Sequence, residues 1–430
     1  MLFSRSLTAS LLCLAPLVQA NPDAVIIGGQ LLDVRSGKLL TNQAVLVEQQ
    51  HVHSIVPLHQ LTAEQQELPR IDLSGYTLLP GLIDMHVHLT ANPAAHGYRR
   101  LQQTPIRQAL FGVTAAAATL DAGFTTVRNL GAAGYADVEL REAINAGELP
   151  GPRMRVSGPT LCMTGGHCDN NLLPHTYQAR ATGVANGADE IRSQVRSNMK
   201  YGADVIKFTA TGGVLSRNTD VNASQYSLAE MQALVAEAHD RGAKVAAHAH
   251  GLQGIKRALQ AGVDSIEHAS FIDDEALALA KKQGTYLVMD IYVSDYILQE
   301  GEAAGILAES LAKERTVGQL QRQNFSKAVK AGVKLAYGTD AGVYTHGLNG
   351  RQLQYMVQWG MTPLEAIQSA TLHAAELLHW RNEQGQLNVG VLEPGAFADI
   401  IAVKGDPLKQ ISLLQQIPVV IKGGEPVKGL

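Results

Sequence analysis

Cysteine is scarce in this chain, with 3 among 430 residues, and the first, Cys13, lies in a segment that reads as a leader. The other two, Cys162 and Cys168, could pair across a short loop in an oxidising compartment. Two cysteines in so long a chain nevertheless exclude a disulfide-stapled scaffold and place cysteine chemistry away from the centre of the protein. Basic clusters are missing as well. With a net charge of −4 and no run of Lys or Arg, nothing in the composition calls for a nucleic-acid partner. Beyond the N-terminal segment there is no second long apolar run, and the mean hydropathy is near zero, which speaks against a membrane span. A glycine-rich dinucleotide turn is also lacking, since Gly165-Gly166 and Gly212-Gly213 are too short to be one. That removes the main reason to expect an open doubly wound sheet.

Residues 1–20 differ from the rest. Arg5 supplies one positive charge, Leu7 to Val18 form an apolar stretch, and Val18-Gln19-Ala20 makes a small-residue cleavage signal. This is the three-part pattern of a secretory signal peptide. A lipoprotein site at Leu11-Leu12-Cys13 fits poorly, because a bulky leucine precedes the cysteine. The mature chain is expected to be exported, most simply to a bacterial periplasm. Its length suits one large α/β domain with an accessory domain.

Short alternating strands bounded by turn residues occupy both ends, from Ala24-Val25-Ile26-Ile27 to Ser54-Ile55-Val56 and from Ala398-Asp399-Ile400 to Val420-Ile421-Lys422. They are read as one small β-sandwich domain, residues 21–75 and 392–430. Between them, residues 76–391 repeat a strand-then-helix rhythm. Apolar runs recur near Leu82, Val127, Val156, Ile206, Val245, Ile266, Val288 and Leu335. Helices close on Ala-Gly or Tyr-Gly pairs, and Ser227 with Glu230 makes a capping box. Alternation of this kind implies a parallel sheet, and eight units imply a (β/α)8 TIM barrel.

Chemistry in such a barrel collects at the C-terminal ends of the strands. The first strand ends in His86-Val87-His88, whose side chains point to one side because strand residues alternate. Taken alone this pair is as well explained by coincidence as by a metal. Lys207 lies on the fourth strand, however, His248 ends the fifth, His268 the sixth and Asp340 the eighth. Imidazole and carboxylate are ligands for Zn²⁺ and similar divalent ions. Four histidines with an aspartate exceed the needs of one catalytic zinc and suit two neighbouring metals. A lysine belongs there only if its charge is removed or reversed, as addition of CO₂ to its amine would do. Asp290, at the end of the seventh strand, needs a cationic partner if buried, from the protein or from a basic substrate. His51-Val52-His53 has the same spacing but sits in a polar hairpin and is read as surface. His373 is read as packing, and Tyr226 and Arg217 are assigned nothing.

The ordered set His86-Val87-His88, Lys207, His248, His268 and Gly338-Thr339-Asp340, with Pro80-Gly81-Leu82-Ile83-Asp84 before it, resembles the metal-dependent amidohydrolase superfamily. Met289-Asp290-Ile291-Tyr292, Tyr337-Gly338-Thr339-Asp340-Ala341-Gly342 and His346-Gly347 are similar to its exported dipeptidases and carboxypeptidases, which favour C-terminal Arg or Lys. Ochratoxin-hydrolysing amidohydrolases belong to the same branch. The resemblance implies two divalent metal ions, most simply zinc. His86, His88 and Asp340 would hold one, and His248 and His268 the other. N6-carboxylated Lys207 would bridge them. It further implies attack on an amide carbonyl by hydroxide held between the metals, with Asp340 as general base and then acid. His250 is given a contact to the substrate's carboxylate or carbonyl, since the family pattern places the ligand at the first histidine of its pair. His167 is a second candidate for the carboxylate, and Asp290 is kept as a substrate contact. The expected partner is a small-molecule dipeptide or N-acyl amino acid, and the expected assembly a homo-oligomer. Two alternatives stand beside this reading. One keeps the site but hydrolyses ochratoxin-like N-acyl aromatic amino acids or a ring amide, as imidazolonepropionase does. The other is a periplasmic metal-binding protein without catalysis, for which neither Asp340 nor the lysine is needed.

Overall fold

The computed structural model describes residues 22–430, so the expected signal peptide lies outside the described residues. The described chain starts with β1 (Ala24–Asp33), β2 (Lys38–Glu48), β3 (His51–Pro57) and β4 (Arg70–Pro80). The first three form an antiparallel meander, and β4 lies parallel to β1 on its other side. β4 continues past residue 75, the expected domain limit, as far as Pro80. The apolar stretch Leu78–Leu89 is thus shared between two sheets. Gly81 makes the corner: its N–H donates to the Asp399 carbonyl at 2.8 Å, and a Cβ there would collide with Thr125.

The middle of the chain supplies β5 (Leu82–Val87), β6 (Phe124–Asn129), β7 (Arg153–Val156), β8 (Val205–Thr209), β9 (Lys244–Ala249), β10 (Ser265–His268) and β11 (Tyr286–Val288). All pair in parallel, as β5-β6-β7 and as β8-β9-β10-β11. Single residues join the two sheets at both seams. Leu161 exchanges bonds of 2.9 Å with Lys207 and Thr209 at one seam. At the other, Leu287 bonds Lys334 at 2.9 Å, and Met85 and His88 donate to Tyr337 and Ala341 at 2.8 and 2.7 Å. The eighth strand expected at Lys334–Asp340 is therefore not a regular strand but a stretch of bridging backbone. Asp340 takes a left-handed φ of 58°, which ends any extended run. Helices alternate with the strands. Ser227 caps helix Leu228–His239 through a box with Glu230, and the Gly123, Gly202, Gly262 and Gly332 positions all carry positive φ.

The chain then returns as β12 (Ile400–Val403), β13 (Val419–Lys422) and β14 (Glu425–Lys428). β12 pairs antiparallel with β4, giving the order β14-β13-β12-β4-β1-β2-β3. The strands of both ends form one continuous seven-stranded sheet in which β4 hydrogen-bonds a neighbour on each side, and its β3 end returns to the segment before β12, Val52 donating to Ala396 and Ala398 to Gln50 at 2.8 Å. Ile26, Val45, Leu73, Leu78, Ile400, Val419 and Ile421 pack into one buried cluster on it. A larger core that includes Leu79, Phe124, Phe208, Phe325 and Tyr337 fills the space around the parallel strands. Among the described residues, no helix is long and apolar enough to cross a membrane.

Candidate metal centre

Backbone geometry at three strand ends aims the side chains inward. Asp340 donates its N–H to the His86 carbonyl at 2.7 Å, which sets its carboxylate 3.4 Å from His86 Nε2 and 3.1 Å from His88 Nε2. Gly338 is needed for this approach, since a Cβ would overlap Val288 and press on His86. His268 and Ala269 both take left-handed φ, 69° and 49°. Such conformations cost of order 1–3 kcal/mol each in non-glycine residues and persist only where the surroundings impose them. The ring of His248 lies 4.6 Å from that of His268 and 4.8 Å from that of His250, and His250 stacks on His268 at 4.7 Å. Lys207 Nζ reaches to 3.5 Å from His86 Nε2.

Three overlapping groups of donors follow, His86 with His88 and Asp340, His248 with His250 and His268, and His268 with Asp290 and Asp340, each with ligand atoms within 4.8 Å of one another. Burial holds His86, His248 and His250 well below the usual imidazole pKa, helped by the nearby charge of Lys207. They are neutral at physiological pH, which is the form that binds metal. Burial also lowers Lys207, to about 8, against the pull of Glu267 and Asp340. For Asp340 burial opposes ionisation, but the three neighbouring histidines outweigh it and hold the carboxyl low. Burial is outweighed at His268 by the Asp290 carboxylate, which raises that imidazole. Imidazoles and an ionised carboxylate are a donor set that fits divalent metal ions.

The sequence-derived residues His86, His88, Lys207, His248, His268 and Asp340 are brought together here. His250 joins them closely enough to count among the donors, although its Nδ1 is 2.8 Å from Ser270 Oγ. His167 stacks on His248 at 4.3 Å, with Nδ1 2.7 Å from Ser216 Oγ. Gly213 makes room for it, because any Cβ would occupy its ring. A disulfide joins Cys162 to Cys168 and closes the loop that carries His167. Asp290 has neither the Lys or Arg partner nor the open position expected for it. Its Oδ1 is 2.8 Å from His268 Nδ1 and accepts from Gln321 Nε2 at 2.7 Å. Tyr226 is buried and donates to Ala185, while Arg217 bonds Tyr98. His51 stacks on Phe397 in the terminal sheet.

Four neighbours of the cluster escaped the sequence reading. Asp84 accepts from Thr339 Oγ1 at 2.6 Å and from Asn349 Nδ2 at 2.8 Å. It pins the Thr339–Asp340 turn to β5, and burial pushes its carboxyl up to about 7. Glu267, Arg128 and Gln321 lie behind the histidines. Ser265 and Glu267 alternate on β10 towards the interior, as does Arg128 on β6. A charged residue at an inward position of a strand was the available signal.

The family model described as "Amidohydrolase family" matches residues 77–427. Ochratoxinase from Aspergillus niger is 33% identical, over 96% of this chain and 89% of that protein. A crystal structure of a Xaa-Pro dipeptidase with bound methionine in the active site superposes with a TM-score of 0.85 at 38% identity. That match covers 94% of this chain and 100% of the dipeptidase. Imidazolonepropionase from Chromobacterium violaceum is 25% identical over 82% of this chain and 84% of that protein. With the matched region spanning both parallel sheets and the C-terminal strands, the chain belongs to the amidohydrolase family and is a hydrolase of carbon–nitrogen bonds.

Proposed function

We propose that this chain is an exported two-metal amidohydrolase that releases a C-terminal amino acid from an amide or peptide bond. The observation that carries the reading is the ring of buried and half-buried donors around Lys207. His86, His88 and Asp340 would hold one ion, His248 and His268 the other, and carboxylated Lys207 both. An amine lowered to about 8 lies closer to the neutral form that reacts with CO₂. The hydrogen bonds at both seams support a closed (β/α)8 barrel, whose strand ends would then share one mouth. Two zinc ions, when bound, supply a nucleophilic water near neutral pH and polarise the scissile carbonyl. Asp340, anionic and 3.1 Å from His88, accepts the proton of the attacking water and returns it to the leaving nitrogen. His167 keeps one ring nitrogen on Ser216 and turns the other to the substrate. Since burial lowers it to about 3, it meets a carboxylate as a neutral hydrogen-bond donor. His250 is a contact for the substrate carbonyl or carboxylate. The leader pattern and the Cys162–Cys168 disulfide both support export to an oxidising compartment such as the periplasm.

Asp290 Oδ1 is engaged by His268 and Gln321, so this carboxylate does not by itself argue for a C-terminal Arg or Lys. Neutral and aromatic amino acids are the expected leaving groups. This favours the second reading, hydrolysis of N-acyl aromatic amino acids, which the 33% identity to ochratoxinase also supports. A panel of dipeptides and N-acyl amino acids with basic, aliphatic and aromatic C-termini separates the possibilities. Turnover restricted to basic C-termini would contradict this reading, and hydrolysis of ring amides alone would move the chain towards the imidazolonepropionase type.

A further inference from the structure

Two buried carboxylates, Glu267 and Asp290, stand against the Nδ1 side of two histidines of the cluster. Glu267, on β10, has no exposed surface. Its Oε2 is 3.1 Å from His86 Nδ1, and both atoms are buried with no hydrogen bond of regular geometry to any described residue, which leaves each as the nearest polar atom available to the other. Its Oε1 accepts from Arg128 Nη2 at 2.8 Å and from Ser265 Oγ at 2.6 Å. Arg128 is anchored in turn on the Met85 carbonyl at 2.7 Å, one residue before His86. Asp290 repeats the arrangement on the opposite side. Its Oδ1 lies 2.8 Å from His268 Nδ1, and Gln321 Nε2 bridges from Asp290 to the His268 carbonyl at 2.7 and 3.2 Å.

An imidazole with Nδ1 against a carboxylate carries its proton there and leaves Nε2 as the lone-pair nitrogen. His86 Nε2 is the atom that faces Asp340 and Lys207. A carboxylate behind a histidine ligand also makes the ring a stronger donor and fixes its orientation. We propose that Glu267 and Asp290 are paired positioning residues, one for each half of the metal centre, Glu267 setting the tautomer of His86 and Asp290 that of His268. This rests on the two-metal reading above. Arg128 and Gln321 hold the two carboxylates, and each carboxylate commits one histidine before any metal arrives.

The test is competitive titration of the metal-free mature protein with zinc against a chromophoric chelator. Wild type is compared with Glu267→Gln and Asp290→Asn, and the metal-free melting temperature of each is recorded. Because Glu267→Gln strands a buried guanidinium, Glu267→Gln/Arg128→Met is included. Each variant is expected to bind one zinc equivalent about 10–100-fold more weakly and the other as wild type does. The double variant should show the same loss with a melting temperature near wild type. Wild-type affinity for both equivalents in the variants overturns the proposal. So does weakening of both equivalents together in step with the melting temperature, which marks a merely structural role. Failure of wild type to bind two equivalents defeats the two-metal reading and the proposal with it, and is recognisable from the wild-type arm alone.

Discussion

Asp340 carries the heaviest demand of any residue in the centre. In the proposed mechanism it binds metal and accepts a proton, on a left-handed backbone with imidazole nitrogens 3.1 and 3.4 Å away. Replacing it by alanine should lower turnover by at least about 10²–10⁴-fold, the span of a lost general acid–base group. Lys207→Ala should abolish activity likewise, with circular dichroism and the melting temperature showing a folded protein. Full activity in either variant contradicts the assigned roles. Glu314 makes a separate prediction about stability. Burial lifts its carboxyl from 4.5 to about 7, while Ser294 donates to it. The folded protein therefore keeps this proton to a higher pH than the unfolded chain does. Its stabilising contribution is present below about pH 4.5 and is lost as pH rises through about 7. Melting temperatures across that window should fall less steeply for Glu314→Gln than for wild type, and parallel curves would count against it. Histidines at strand ends were legible because alternation and strand order alone place them. Glu267 and Arg128 show locally only as charged residues at inward strand positions and Gln321 shows nothing, because their partners lie across β6, β10 and helix Ala308–Ala331.

Among the elements, helix Ala308–Ala331 and the Cys162–Cys168 loop do most to hold the site's surroundings. The helix buries Glu314, Gln321 and Asn324, and Lys313 donates to the Gly213 and Ser216 carbonyls at 3.2 and 2.7 Å. It thereby steadies the segment on which His167 rests. Nothing in its sequence marks it as part of the site, because it contributes support and no ligand. The disulfide closes a short loop, and by the chain-entropy account its removal costs about 2 kcal/mol. Cys162→Ser/Cys168→Ser should unfold at lower denaturant and show a raised KM with a smaller change in kcat, since His167 is assigned to substrate. An unchanged KM would remove His167 from that role. The segment expected as the eighth strand bridges β11 and β5 in parallel only at single residues, for a physical reason. Lys334–Asp340 has strand composition, but the left-handed turn at Asp340 and the close approach at Gly338 allow only single bridges.

At the scale of the whole molecule, the ends of the chain and its centre are coupled through β4. This strand pairs with β1 and β12 and then feeds β5 through Gly81. Alternating strands and helices made the parallel architecture legible, and the β character of both termini is consistent with the one sheet that their strands share. The single seven-stranded sheet was not foreseeable, since pairing partners so far apart in sequence leave no local trace. In the interior, the Arg128–Glu267 pair is almost wholly buried. Removing Arg128 alone should destabilise the fold by about 3–5 kcal/mol, measurable by denaturant titration. Replacing both partners should cost much less.

The most direct measurement is metal content and hydrolysis on one preparation, purified with zinc and bicarbonate and then stripped with a chelator. The account predicts two equivalents of metal per chain and release of free C-terminal amino acid from N-acyl substrates, with activity lost on stripping and restored by zinc. Undiminished hydrolysis by the metal-free protein would contradict it.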